Sequence, residues 1–101
     1  MHLVQVLLPL ADNQGHPFAD GLLREVREEL VTRFGGVTAY GRAPAQGVWA
    51  HKGTRQKDDI VVVEVMVETL DVNWWAGFRS RLQYRLSQEE LVVRAFEIRT
   101  F

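Results

Sequence analysis

The chain has 101 residues, a length that suits one domain and is too short for two. Apolar residues make up 47% of it, which is enough for a core and excludes an intrinsically disordered chain. The formal net charge of −1, from 12 basic and 13 acidic residues, argues against a general nucleic-acid binder, which needs a strong basic field.

The chain contains no cysteine, so disulfides and thiolate metal sites are excluded, although this leaves the compartment open. The apolar run over residues 3–10 is interrupted by Gln5 and Pro9. It is too short for a signal peptide or a membrane span. We therefore expect a soluble, cytoplasmic protein without a membrane partner.

The first half of the chain predicts a strand, a helix and a second strand. Residues 3–8 are rich in apolar and β-branched side chains and stop at Pro9, as a strand does. A helix beginning at Pro17 or Asp20 follows, and Gly35 ends it. Its apolar stripe recurs at spacings of three and four: Leu22, Leu23, Val26, Leu30 and Phe34. On its polar face, Glu29 and Arg33 are spaced for an ion pair within the helix.

The middle of the chain predicts a long edge strand with a break. Residues 37–42 form a strand candidate, and residues 48–51 form another extended piece. Pro44 and Gly47 mark the break between them, which an edge strand tolerates better than a central one. Residues 52–58 are polar and predict a hairpin loop.

The second half begins with the clearest strand, residues 60–67, which is apolar on both faces except at Glu64. A helix capped by Asp71 or Asn73 follows. Its apolar stripe is Trp75, Phe78, Leu82 and Leu86. Residues 91–98 predict the last strand.

The resulting order, β-α-β-β-α-β, predicts a single α+β domain of ferredoxin-like architecture over residues 1–101. Both helices are apolar on one side, so both should cover the same face of a four-stranded antiparallel sheet. The first and third strands, which are the most apolar, should be central.

One sheet face should therefore lack a helix. We assign to it the strand positions that share a parity with Gln5 and Glu64: Leu3, Gln5, Leu7, Ile60, Val62, Glu64 and Met66. A monomer rarely leaves so contiguous an apolar patch in water, which predicts a face-to-face homodimer. The alternative is that residues 43–54 or 99–101 fold over this face.

Glu64 is the leading polar candidate because it interrupts an apolar strand. A carboxylate there is a general acid or base, a ligand contact, a structural partner of Arg94 or Arg42, or a side chain exposed on an open sheet face. His51, if close to Glu64 and Tyr40, is a candidate proton-transfer group, and otherwise it is a histidine at a loop edge.

Other site types are weakly supported. No two histidines have a metal-ligand spacing, so we predict no metal and no cofactor. The pair Gly35-Gly36 follows a helix, whereas a phosphate loop precedes one. Trp74 lies beside the helix stripe and is a candidate interface residue.

Four short segments resemble a known family. They are residues 34–38 (Phe-Gly-Gly-Val-Thr), 47–49 (Gly-Val-Trp), 63–65 (Val-Glu-Val) and 88–89 (Gln-Glu). Together they resemble a family of small, uncharacterised bacterial proteins with ferredoxin-like architecture. The resemblance implies the fold and no activity, and it implies that residues 34–38, Trp49, Glu64 and Gln88 matter. Of these, we take Trp49, Glu64 and Gln88 as candidate ligand-binding residues.

Two hypotheses of function follow. The first is a small homodimeric binding or interaction module that uses the helix-free sheet face for a partner or a small apolar ligand. The second is a small cofactor-independent enzyme of the dimeric α+β barrel type. In it, an apolar pocket between sheet and helices would hold the substrate, with Trp49 in its wall and Glu64, His51 and Tyr40 as acid–base groups.

Overall fold

The structure, a computed structural model, describes residues 1–18, 21–42 and 60–101. Its elements within these residues are β1 (His2–Pro9), α1 (Leu22–Phe34), β2 (Thr38–Arg42), β3 (Ile60–Val67), α2 (Val72–Arg85) and β4 (Val93–Glu97). The predicted extended piece at residues 48–51, the predicted loop at residues 52–58 and Asp20 lie outside the described residues. None of the described helices is long and apolar enough to cross a membrane.

The four described strands form one sheet in the order β2-β3-β1-β4, and every neighbouring pair is antiparallel. β1 and β3 are central, as their apolar sequences predicted. The order of elements and the order of strands together confirm the ferredoxin-like α+β fold.

The core lies between the helices and one face of the sheet. Alternate positions of the central strands point into it because side chains on a strand alternate between faces. These positions are Val4, Val6 and Leu8 of β1, and Val61, Val63, Val65 and Val67 of β3. From the helices come Val26, Leu30, Trp75, Phe78 and Leu82. The predicted apolar stripes therefore do pack on a common face.

The helix ends follow local chemistry. Asp71 caps α2, since its Oδ1 accepts from the backbone N–H of Trp74 at 3.0 Å. Gly35 ends α1 with φ of 85°, a left-handed conformation that glycine adopts without a steric penalty.

The predicted start of α1 at Pro17 is wrong, because α1 begins at Leu22, after Gly21. Pro17 instead forms an isolated bridge with Ala11. The turn between them is held by Asp12, whose Oδ1 accepts from the backbone N–H groups of Gln14 and His16, each at 2.9 Å. The N–H of His16 is the main cause of a lowered pKa of the Asp12 carboxyl.

Charged side chains join the two helices. Glu29 pairs with Arg81 at 3.0 Å, Glu25 pairs with Arg85, and Arg33 lies 3.9 Å from Asp71. The Glu29–Arg33 pair predicted within α1 is therefore replaced by contacts across the helices. Since the paired positions run in opposite directions along the chain, the helices are antiparallel.

Candidate functional site

The second sheet face carries the residues that the parity argument assigned to it. Leu3, Gln5, Leu7, Ile60, Val62, Glu64 and Met66 all lie at strand positions opposite to the core-facing set. Both described helices pack on the other face. The strand register adds β2 and β4 side chains, above all Thr38, Tyr40, Arg94 and Phe96. We call this surface the sheet-face patch.

A row of polar residues crosses the middle of the sheet-face patch. Thr38, Glu64, Gln5 and Arg94 are successive register partners on β2, β3, β1 and β4. We call these four residues the polar row. The row is perpendicular to the strands and reaches both edges of the described sheet.

Hydrogen bonds link three residues of the polar row, Glu64, Gln5 and Arg94. Gln5 Nε2 donates to Glu64 Oε2 at 2.7 Å, and Arg94 Nε donates to Gln5 Oε1 at 2.8 Å. Tyr40 adds a third bond, from its hydroxyl to Glu64 Oε2 at 2.9 Å. A primary amide both donates and accepts, so Gln5 can serve an anion on one side and a cation on the other.

In this network, Glu64 contacts Gln5 and Tyr40. The sequence left three roles open for this half-buried carboxylate: a pair with Arg94 or Arg42, simple exposure on an open face, or a chemical function. Arg94 is two strands away and bonds to Gln5 instead. Within the part of the chain that the structure describes, neither Glu64 nor Arg94 has an oppositely charged group within 4 Å. The side chain of Arg42 lies outside that part.

Apolar side chains flank the polar row on both sides. On one side lie Met66, Leu3 and Phe96, and on the other lie Tyr40, Val62 and Leu7. Met66 is 60% exposed, Phe96 43% and Tyr40 39%, whereas Val62, between Leu7 and Tyr40, is buried. The patch is thus a polar centre between two apolar bands.

The C-terminal residues do not cover the patch as the alternative proposed, because Phe101 is fully exposed. The other covering segment in that alternative, residues 43–54, lies outside the described residues.

The structure brings together two of the predicted acid–base residues, Tyr40 and Glu64. His51 and Trp49 lie outside the described residues. Gln88 lies in the turn between α2 and β4, where its backbone N–H donates to Gln83 O at 3.1 Å. It belongs to no part of the hydrogen-bonded network around Glu64, and its role in ligand binding stays a prediction.

The position of Tyr40 and Glu64 also bears on the enzyme hypothesis. That hypothesis placed acid–base groups in a pocket between the sheet and the helices. Both residues instead lie on the face of the sheet that points away from the described helices. No cluster of three or more metal-ligating side chains occurs among residues 1–18, 21–42 and 60–101.

Comparison with known protein families, curated proteins and solved structures found no match. The resemblance to a small bacterial family therefore stays a prediction, and the candidate site rests on geometry alone.

Proposed function

We propose that the protein is a small homodimeric interaction module, in which two copies meet through their sheet-face patches. The observation that carries the proposal is the polar row between two apolar bands. Among the described residues, neither Glu64 nor Arg94 in this row has an oppositely charged partner. Such a surface suits a partner that covers the bands and supplies the missing charges. A second copy of the same surface does both.

The size of the face supports a dimer of modest affinity. Four strands spaced about 4.8 Å apart, with eight residues in the longest ones, give a face of roughly 19 by 26 Å. Pleating and side-chain relief add to that flat area, and specific interfaces bury about 800 Å² on each partner. The flat area, about 500 Å², is smaller than that value even though side-chain relief adds to it, so dissociation at low protein concentration is expected.

The charges favour one arrangement of the two sheets. In a face-to-face pair, the twofold axis lies between the sheets, either along the strands or across them. An axis across the strands, in line with the polar row, places Glu64 over the partner's Glu64 and Arg94 over the partner's Arg94. Like charges in direct opposition are unfavourable.

An axis along the strands, between β1 and β3, reverses the order of the partner's strands. Glu64 then lies over the partner's Gln5. The partner's Arg94 is one strand away from Glu64, whereas the Arg94 of the same copy is two strands away. Apolar bands meet apolar bands, and the strands are aligned as in packed β-sandwiches. We therefore place the axis along the strands.

Sedimentation velocity over a range of concentrations tests the dimer. We expect the wild-type protein to shift from monomer to dimer, and Phe96→Glu to stay monomeric because it buries a charge in an apolar band. Val31→Glu is the matched control: Val31 is 42% exposed, close to the 43% of Phe96, but lies on α1. Far-UV circular dichroism checks that both variants fold.

Two results would contradict the proposal. One is a wild-type protein that stays a compact monomer at submillimolar concentration, as expected if residues 43–54 cover the face. The other is a Phe96→Glu variant that associates as strongly as Val31→Glu.

A further inference from the structure

A concave surface lies on the opposite side of the sheet from the sheet-face patch. A groove of about 320 Å³ opens between α2 and β4, and Leu70, Trp75, Val93 and Ala95 form much of its wall. It is separate from the proposed dimer surface, because Val93 and Ala95 share the core-facing parity of their register partners Val6 and Val4.

The groove exists because the core is not fully covered at the β4 edge. Val4 and Val6 of β1 are completely buried. Their β4 partners on the same face are less so, since Val93 is half-buried and Ala95 is exposed. Part of the apolar surface of the core is therefore left uncovered at the β4 edge. An apolar molecule bound at this edge would remove that surface from water.

Arg79 supplies a positive charge to this apolar groove. The neighbouring α2 arginines, Arg81 and Arg85, are paired with glutamates of α1. Arg79 has no carboxylate within 4 Å among the described residues. Arg94 also lines the groove, but its Nε donates to Gln5 on the other face of the sheet. Arg79 is thus the groove cation that has neither an ion pair nor a hydrogen bond among the described residues.

Trp75 adds an aromatic wall to the groove. Its side chain is 5% exposed, and its indole Nε1–H has no acceptor among the described residues. The nitrogen itself has almost no accessible surface, so a molecule in the groove contacts the ring of Trp75 and not this donor.

We propose that this groove binds a small apolar monoanion, a carboxylate or sulfonate with an aromatic or aliphatic body. The body packs against Trp75, Val93 and Ala95, and the acid group receives a charge-assisted hydrogen bond from Arg79. The volume lies at the lower end of ligand pockets and corresponds to about ten waters of liquid, so the ligand is small.

The test is a titration of the whole chain with 1-naphthoate, followed by amide and indole NMR shifts. We expect shifts at Leu70, Ala95 and the Trp75 indole. The neutral analogue 1-naphthylmethanol should bind about tenfold more weakly or worse, since it lacks the charge that Arg79 pairs with. Arg79→Gln should weaken naphthoate binding to a similar extent.

Two variants serve as controls. Arg81→Gln removes a cation from the same helix that is already paired with Glu29, so naphthoate affinity should not change. Trp75→Phe keeps an aromatic wall with a smaller contact area, and should weaken binding by a smaller factor than Arg79→Gln. Absence of binding at millimolar naphthoate, shifts confined to the sheet-face patch, or equal affinity of acid and alcohol would each overturn the proposal. None of these outcomes depends on dimerisation.

Discussion

Gln5 is the residue that lets a glutamate and an arginine share a sheet face without touching. Its amide donates to Glu64 and accepts from Arg94, which lie on opposite sides of β1. A leucine here would match the apolar neighbours of Gln5, but it would leave Glu64 with Tyr40 and Arg94 with no described partner. The polar row thus depends on an amide at its centre.

A single capping residue should set the stability of α2. Asp71→Ala removes the acceptor for the backbone N–H of Trp74, and should lower the free energy of unfolding by about 1 kcal/mol. Urea denaturation followed by circular dichroism measures it.

Asp71→Asn is the control for the cap, since the amide keeps an oxygen acceptor and loses the charge. Its cost should be clearly smaller, because the exposed contact of Asp71 with Arg33 at 3.9 Å contributes little. Equal losses in the two variants would show that the charge matters and the cap does not.

At this scale, the sequence predicted which residues would be unusual but not how they would bond. Glu64 stands out in an apolar strand, and Asp71 precedes a helical stripe. The link from Glu64 through Gln5 to Arg94 depends on the register of three strands that are far apart in the chain. Residue spacing carries no information on that register, so a direct Glu64–Arg94 pair was equally plausible.

Among the elements, α1 depends on very few fully buried side chains. Val26 and Leu30 are its buried residues, and most of its other positions are charged or exposed. The ion pairs that join α1 to α2 are partly exposed and therefore contribute little. Packing must therefore hold the helix in place: Val26 and Leu30 lie in the core, and Leu22, Leu23 and Phe34 pack against it.

Leu30→Ala should accordingly destabilise the protein by about 2–5 kcal/mol, through lost burial and the cavity it leaves. The neighbouring Val31→Ala should change stability by less than about 0.5 kcal/mol, because Val31 is 42% exposed. Chemical denaturation of the two variants makes the comparison. Similar losses at both positions would mean that α1 does not pack as described.

The helices and strands with a clear apolar pattern were predictable from the sequence. The stripe from Trp75 to Leu86 and the apolar run of β3 are strong patterns, and both elements were found. The start of α1 was not predicted correctly, because Pro17 is suited to a first helical turn and equally to the turn that Asp12 closes. The local conformational preference of proline does not distinguish a helix start from such a turn.

For the whole molecule, the polar row makes the proposed dimer testable by exchanging charges. Glu64→Arg should weaken self-association by about tenfold or more, because two cations then flank Gln5 in each copy. The double variant Glu64→Arg/Arg94→Glu rebuilds the row in reverse, and a rotated Gln5 amide can serve both new partners. It should recover most of the lost affinity in sedimentation equilibrium.

A parallel exchange on the helices controls for changes in overall charge. Glu29→Arg and Glu29→Arg/Arg81→Glu alter an ion pair far from the sheet-face patch, and neither should change self-association. A double Glu64/Arg94 variant that associates no better than its single parent would rule out the proposed pairing of charges between copies.

The overall topology was predicted because the order of elements leaves few arrangements of a sheet with right-handed crossovers. The helix-free face was predicted as well, from Gln5 and Glu64 alone. The groove beside β4 was not predicted. It depends on the distance between α2 and the edge of the sheet, and no sequence pattern encodes that distance.

The central position of β1 has a consequence for biosynthesis. Its two neighbours in the sheet, β3 and β4, begin at Ile60 and Val93, so β1 leaves the ribosome long before either can pair with it. At about 5–20 residues per second, that delay lasts several seconds. During this time an apolar strand with open edges is available to chaperones or to other nascent chains. The sheet therefore depends on contacts between distant parts of the chain and is complete only when β4 is added.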